Sequence, residues 1–354
     1  MNNLAQGQHS EPTAEDQWRQ FGELTCQNDY VDSLRGRNLD VYLLGEHIDE
    51  PVDHPIVRPS INAMAASYQL AEDEPDLATA WSSITERRIN RFLHIPESPQ
   101  DLVQKNKMQR RMGQLTGTCF QRCAGLDTLS VLFSITFDID KKHGTAYHER
   151  YLAFLKKAQA RNLIVGAGMT DPKGDRSKRP SDQADPDLFM HVTRRTDKGL
   201  YVKGAKAHMT GGLNSHWICV MPTMNMLESD KDYAVIGMIP ATAPGLTYIY
   251  GRQSCDTRAL EVGDIDKGNA QYGGQETLVI FDDVFIPWAH VFMDGEYEFA
   301  QELVSRFTAY HRASYVCKTG LGDVMIGAAS SVAEMNGAET ASHVRDKLVE
   351  MTHL

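Results

Sequence analysis

The chain has no apolar run approaching the ~20 residues needed to cross a bilayer. Its opening segment, MNNLAQGQHSEPTAED, has neither the basic start nor the apolar stretch of a secretory signal. A cytoplasmic protein is therefore expected. Basic residues are also in deficit: 36 lysines and arginines face 47 aspartates and glutamates, a net charge of −11. That balance gives no general attraction for phosphate backbones or anionic membranes, which excludes nucleic acid and membrane as expected partners. Cysteine is sparse, with six in 354 residues, and reads as reduced thiols or metal ligands rather than a disulfide framework. Neither an internal repeat nor a low-complexity tract is present, so solenoid and fibrous architectures fall away.

What remains is a globular composition, 42% apolar and 23% charged, able to bury a sizeable core in two or three domains. Residues 1–27 are polar and aperiodic and read as an N-terminal extension. A helical domain is expected over 28–162. In it Ile61, Met64, Ala65 and Tyr68 fall on one helical face behind Ser60 as N-cap, a second helix runs from Leu102 to Leu115, and a longer one from Cys119 to Phe137. A further helix opens at Thr145 and carries Leu152, Leu155 and Ala158. From 163 to 295 the texture is β: LFMHVTRR and LYVKGAKA flank the turn Thr196-Asp-Lys-Gly199, followed by WICVMP, YAVIGMIP, LTYIYG and ETLVIFDDVFIP. Helical spacing returns over 296–354, first through Phe299, Leu303, Phe307 and Tyr310. The last helix offers Val344, Leu348, Met351 and Leu354 with no following helix to cover them, as if the bundle were cut short.

Two constellations carry chemistry. Cys119 and Cys123, four apart, would share one helix face and could grip one metal centre; two packed core thiols would have the same spacing. His311 and Cys317 form a second pair that could close a four-ligand set of the iron–sulfur or zinc type, against the alternative of a histidine bonded to a carbonyl at a helix end. Cys26, Cys219 and Cys255 have no such partners and read as packed thiols. The second constellation is Met169-Thr-Asp-Pro-Lys-Gly-Asp-Arg176 with Lys206-Ala-His-Met-Thr-Gly211 after the hairpin. A Thr-Asp-Pro turn followed by glycine presents N–H groups and a hydroxyl that can hold a planar ring edge or a phosphate, although a generic turn has the same composition.

Those two loops, with FDDVFIP at 281–287, resemble the flavin-binding segments of acyl-CoA dehydrogenases. The segments VDHPIVRPSIN, KMQRRMGQLTGTCFQRC, MTDPKGDR, KDYAV, YGRQSCDTR, YGGQET and AYHRASY extend the likeness over nearly the whole chain from residue 28. They resemble the 4-hydroxybutyryl-CoA dehydratases, flavin and iron–sulfur enzymes related to the 4-hydroxyphenylacetate 3-hydroxylases. The resemblance implies an α+β, acyl-CoA dehydrogenase-like fold with an N-terminal helical domain, a β-barrel-like centre and a C-terminal helical bundle. It implies an enzyme, a hydro-lyase that converts 4-hydroxybutyryl-CoA to crotonyl-CoA by a radical route, with vinylacetyl-CoA Δ-isomerisation as a companion activity, in a homotetramer.

Carried over residue by residue, the resemblance gives FAD to Met169, Thr170, Asp171, Lys173, Asp175, Arg176, His208, Met209, Thr210 and Gly211, with Thr210 near the reactive flavin nitrogen. It gives a 4Fe-4S cluster to Cys119, Cys123, His311 and Cys317, and places Glu276, Tyr315, Lys318 and Arg110 around the acyl-CoA substrate. The thioester acidifies the α-proton of the substrate but not the β-proton that must also leave, so redox assistance is needed. His311 is the implied α-proton base, with Tyr315 and Glu276 available for the second proton. One departure stands out: His311 and Cys317 are six residues apart, one fewer than the family spacing, and Val316 stands where the family usually has glycine. A flavin-dependent aromatic monooxygenase, which would not need the thiols, and a non-catalytic scaffold are the competing readings.

Overall fold

The computed structural model describes residues 11–251 and 270–353. Cys255, most of the YGRQSCDTR segment and Leu354 lie outside the described residues. The helices are α1 Ala14–Arg19, α2 Gln27–Ser33, α3 Arg58–Asp73, α4 Pro75–Ala78, α5 Pro99–Thr116, α6 Cys123–His143, α7 Tyr147–Arg161, α8 Ala300–Ser314, α9 Val316–Met335 and α10 Ser342–His353. The strands are β1 Asp40–Leu43, β2 Glu46–His47, β3 Thr79–Ser82, β4 Arg87–Asn90, β5 Val165–Gly168, β6 His191–Arg195, β7 Gly199–Thr210, β8 Trp217–Val220, β9 Val235–Pro240, β10 Leu246–Tyr250, β11 Glu276–Pro287 and β12 Val291–Asp294.

The β centre is two open sheets, ordered β2-β1-β10-β11-β7-β6 and β12-β9-β8-β5. It is therefore not barrel-like as expected, since β2 and β6 remain unjoined edges among the described residues. The outer strand β6 carries exposed Arg194 and Arg195, charges that blunt an edge against further pairing. The hairpin at 196–199 forms as read, with the Thr196 N–H donating to the Gly199 carbonyl at 2.8 Å.

Three expectations need correction. Of the expected extension, residues 11–27 are not an appendage: Trp18, Phe21 and Leu24 are buried in the main core. The Trp18 ring lies 4.6 Å from that of Trp217, and its indole N–H donates to His290 Nε2 at 3.1 Å. A helix as short as α1 buries only a residue or two, too few to give a period. The first part is not all helix either, because β1 leaves the helical segments to pair in parallel with β10. Ser60 is not an N-cap; α3 begins at Arg58 with Pro59 in its first turn, and the Ser60 hydroxyl donates to the Val57 carbonyl at 2.7 Å.

At the junction of the helical layers, α5 and α9 cross with their backbones in contact. A Cβ added to Gly113 would overlap the Cys317 carbonyl, and one added to Gly320 would overlap that of Arg110. Arg110 then clamps the crossing with a two-pronged ion pair to Asp323, both bonds 2.8 Å. The Val344, Leu348 and Met351 face of α10 is half-buried and packs on α9, so it is partly covered by the preceding helix. Val332, Met335 and Val349 remain exposed. None of the described helices is long and apolar enough to cross a membrane.

The crossing fixes the sign of one substitution. Gly113→Ala would favour an exposed helix by ~1 kcal/mol, but here it should cost about 1–3 kcal/mol through overpacking. Urea denaturation of the variant checks this, and an unchanged or raised midpoint contradicts the close crossing.

Candidate functional site

Lys206 organises the first constellation. Its side chain is 2% exposed, and its ammonium donates to Asp171 Oδ1 at 2.6 Å, the Met169 carbonyl at 3.0 Å and the Met221 carbonyl at 2.9 Å. The other Asp171 oxygen accepts from the Thr223 hydroxyl at 2.7 Å. The Ala207 N–H donates to the Thr170 carbonyl at 2.7 Å. The Met169–Arg176 loop is thus pinned to β7 through a buried ion pair, so Asp171 is a strut with both oxygens engaged. Beyond it the Asp175 carboxylate accepts from Ser177 N and Oγ at 3.0 and 2.6 Å, which holds it below the usual carboxylate range. Thr170 to Arg176, Phe189, Thr223 and Met224 line an open cavity of about 260 Å³.

β7 delivers its far end into the same region. His208 is exposed and takes φ 48°, at a bulge where the β7–β11 register slips between the Met209 and Lys206 pairs. Met209 turns inward and is 1% exposed. Thr210 pairs with Glu276, and its hydroxyl donates to Glu276 Oε1 at 2.7 Å. Surrounding protein raises the Glu276 carboxyl against the lowering effect of that hydrogen bond, so this acid retains a proton more readily than an exposed glutamate. Gly211 has φ 69°; a Cβ there would press on Met64 and Gln121, so the chain needs glycine to pass.

Gln121 belongs to the connection from α5 to α6, which ends α5 at left-handed Gly117 and is itself left-handed at Gln121 with φ 67°. Its buried amide donates to the Ser60 and Gly273 carbonyls at 2.9 and 3.1 Å and accepts from Asn214 Nδ2 at 3.0 Å. This knot joins α3, the β7–β8 turn and the segment before β11. It also corrects the expected helical pair: α6 starts at Cys123, so Cys119 precedes the helix and the two thiols do not share one helix face. Cys119 is solvent-accessible and Cys123 buried. Enclosure by protein pushes the Cys119 thiol up to about 11, with Cys317 and Glu276 adding to the rise and the Gln121 N–H and Lys318 opposing it. Cys123 is raised further by burial and then by Cys119, Asp127 and Cys317. Three thiols from separate segments are therefore close enough to feel one another's charge.

His311 lies on α8 with 26% of its side chain exposed, and its Nδ1 is 2.9 Å from Oδ2 of Asp127. Asp127 is fully buried and sits one turn beyond Cys123 on α6. It also accepts from Lys105 Nζ on α5 at 2.5 Å and from the Ser314 hydroxyl at 2.6 Å. The imidazole lies between the Phe307 and Tyr315 rings, each with its centroid 5.2 Å away. Tyr315, half exposed, is the joint between α8 and α9, and Lys318 Nζ lies 4.4 Å above its ring. His311 and Cys317 thus occupy different helices.

Among the described residues no three His, Cys, Asp or Glu side chains close around a single metal ion. The chemistry of the donor set nonetheless fits a sulfur-rich polynuclear group, whose ligands stand apart: three unpaired thiols and an imidazole whose second nitrogen faces a carboxylate, the usual support of a ligating histidine. The pinned loop and its cavity fit a flavin contact. Lys173, Asp175, Arg176 and His208 lie on accessible surface of that region, whereas Arg110 is committed to Asp323. Sequence reasoning missed Lys105, Asp127, Gln121 and Asn214. The signal for the first two was a charged residue on the inward face of an otherwise apolar helical stripe.

The 4-hydroxyphenylacetate 3-hydroxylase family matches this chain twice, its N-terminal part at residues 26–293 and its C-terminal part at residues 300–354. The chain is 53% identical over 335 residues to a 4-hydroxybutyryl-CoA dehydratase/vinylacetyl-CoA-Δ-isomerase of Clostridium aminobutyricum, covering 94% of this chain and 68% of that protein. It superposes on an oxygen-tolerant archaeal 4-hydroxybutyryl-CoA dehydratase from N. maritimus with a TM-score of 0.90 and 64% identity, over 93% of this chain and 66% of that one. A 4-hydroxyphenylacetate 3-monooxygenase oxygenase component complexed with FAD matches at TM-score 0.78 and 22% identity, over 93% and 68% of the two chains, a likeness of fold. The chain spans about two thirds of the length of these relatives. The architecture is thus the acyl-CoA dehydrogenase-like one, with open sheets at its centre.

The raised Cys119 thiol has a measurable consequence in protein free of metal. At about pH 8 its alkylation by iodoacetamide should run about tenfold slower than that of an unperturbed thiol. The thiolate fraction falls about a hundredfold, and the greater nucleophilicity of a more basic thiolate restores part of the rate. Peptide mass spectrometry follows the rate, which should still climb at about pH 10; a plateau below about pH 9 contradicts the shift.

Proposed function

The chain belongs to the 4-hydroxyphenylacetate 3-hydroxylase family, and from that premise we propose that it dehydrates 4-hydroxybutyryl-CoA to crotonyl-CoA. Isomerisation of vinylacetyl-CoA at the same centre is part of the proposal, as the name of the Clostridium relative carries both activities. The observation that supports the reading is that Cys119, Cys123 and Cys317 lie within electrostatic reach of one another, and Cys123 and Cys317 also within reach of the buried Asp127 that braces His311. A phenol hydroxylase has no use for that donor set.

We assign FAD to the Met169–Arg176 loop and the His208–Gly211 step, and a 4Fe-4S cluster to Cys119, Cys123, Cys317 and His311. When bound, FAD supplies one-electron redox and the cluster a Lewis acid for the departing hydroxide. The chain's own side chains handle the protons. His311 Nε2, with Nδ1 committed to Asp127, is the one nitrogen left, able to hold the cluster or, when free of it, to take the α-proton beside the thioester. The Glu276 carboxyl, raised by its surroundings and hydrogen-bonded to Thr210, holds a proton at its oxygens near the flavin-binding step. The Tyr315 phenol, under the Lys318 ammonium, is the second proton carrier. Arg110 acts through Asp323, by setting the α5–α9 crossing. A homotetramer is retained; the exposed Val324, Met325, Val332 and Met335 of α9 support burial against further protein.

Anaerobic reconstitution with iron, sulfide and FAD should give a brown flavoprotein with about four irons per chain that forms crotonyl-CoA. Cys119→Ala should lose both the iron and the activity by at least about tenfold. A colourless preparation, or oxygen-dependent hydroxylation of a phenol that survives Cys119→Ala, overturns the dehydratase.

A further inference from the structure

Neither member of the Lys105–Asp127 pair carries a proton in the chemistry above, and burying the pair is costly. Lys105 and Asp127 are 2% and 0% exposed, and a buried ion pair of this kind is commonly replaced by apolar residues without loss of stability. Its hydrogen-bond directions supply a reason for it. Lys105 has only donors, so Asp127 Oδ1 accepts. The Gln109 amide donates to Ser314 Oγ at 3.2 Å, which leaves the Ser314 hydrogen for Asp127 Oδ2 at 2.6 Å. The opposite amide orientation would set serine lone pairs against the carboxylate. A carboxylate that accepts from both neighbours has no hydrogen to give, so the remaining contact, His311 Nδ1 at 2.9 Å, must be a donated one.

We propose that Asp127, held by Lys105 and Ser314, is a positioning residue that fixes His311 as the Nδ1–H tautomer and leaves Nε2 as its one basic nitrogen. The three helices contribute unequally. α6 supplies the acceptor, α5 the balancing charge, and α8 both the imidazole and the hydroxyl that keeps the carboxylate from rotating. The Phe307 and Tyr315 rings on either side restrict the imidazole plane, so tautomer and pose are set together. A network serving only to tie helices would be indifferent to which ring nitrogen carries the proton.

The proposal rests on the reading that His311 works in the reaction, yet its test does not need the reaction. The chain is labelled with ¹⁵N-histidine and purified without metal, and the His311 ring signals are identified by their absence in His311→Gln. Two-bond proton–nitrogen correlations then report the tautomer. The wild type should show Nδ1–H. In Asp127→Asn the amide can donate instead, and the proton should move to Nε2. Should that variant fail to fold, the paired change Lys105→Met with Asp127→Leu keeps the volume, removes both charges and should give a mixture of tautomers. A wild-type ring protonated at Nε2, or a ring that stays Nδ1–H in a folded variant, overturns the proposal. In the loaded enzyme Asp127→Asn should lower kcat by about 10–100-fold with KM within about twofold; unchanged kcat also counts against it. A wild type that shows Nδ1–H but no dehydration would overturn the function and leave this assignment standing.

Discussion

A carboxylate with no exposed surface, accepting hydrogen bonds from three side chains on two neighbouring helices, governs the helical half of this protein. Asp127 and Lys105 are buried together as an ion pair, each the other's counter-charge. Removing one partner of such a pair typically costs about 3–5 kcal/mol, because the survivor is stranded. α5, α6 and α8 are consequently tied by directional bonds as well as by apolar contact. Apolar packing tolerates a small slide of one helix on another, whereas a hydrogen bond at 2.6 Å from Ser314 does not. The distance between the α6 start, with Cys123, and the α8 end, with His311, inherits that rigidity.

The sheet half reaches the same region by similar means. Lys206 and Asp171 pin one loop, and the amides of Gln121 and Asn214 pin another segment that has no helical ladder of its own. Irregular backbone in an interior leaves N–H and C=O groups to satisfy, and side-chain amides, with donors and an acceptor on one plane, do this compactly. The Gln121 amide serves the Ser60 and Gly273 carbonyls at once. Loops held this way can form the walls of a site with little reorganisation.

The long helices, the 196–199 hairpin and the central strands were legible because their periods run over many residues. The two loops proposed to hold FAD were singled out only through resemblance, since a Thr-Asp-Pro turn has no period at all. The N-terminal plug escaped because Trp18, Phe21 and Leu24 sit among polar neighbours on six residues of helix and its trailing turn. The parallel β1–β10 pairing joins residues some 200 positions apart, beyond any local signal. Lys105 and Asp127 escaped for a different reason: a charged residue reads as surface unless its partner, 22 positions away, is already known to face it.

The shortened interval between His311 and Cys317 shows how a tertiary constraint replaces a helical count. On one continuous helix, losing a residue would swing the thiol by about 100°. Here α8 ends at Ser314 and α9 starts at Val316. Around Tyr315 the bonds are of the tighter three-residue kind, Tyr315 N–H to the Arg312 carbonyl and Lys318 N–H to that of Tyr315. The rotation accumulated from His311 therefore does not set the direction of Cys317. That direction comes from the α5 side, where the Cys317 carbonyl rests on Gly113 and Gly320 rests on the Arg110 carbonyl. With α9 seated by two glycines and the Arg110–Asp323 clamp, the Cys317 thiol is felt by both Cys119 and Cys123. The joint at Tyr315 and the crossing with α5 together set where Cys317 sits.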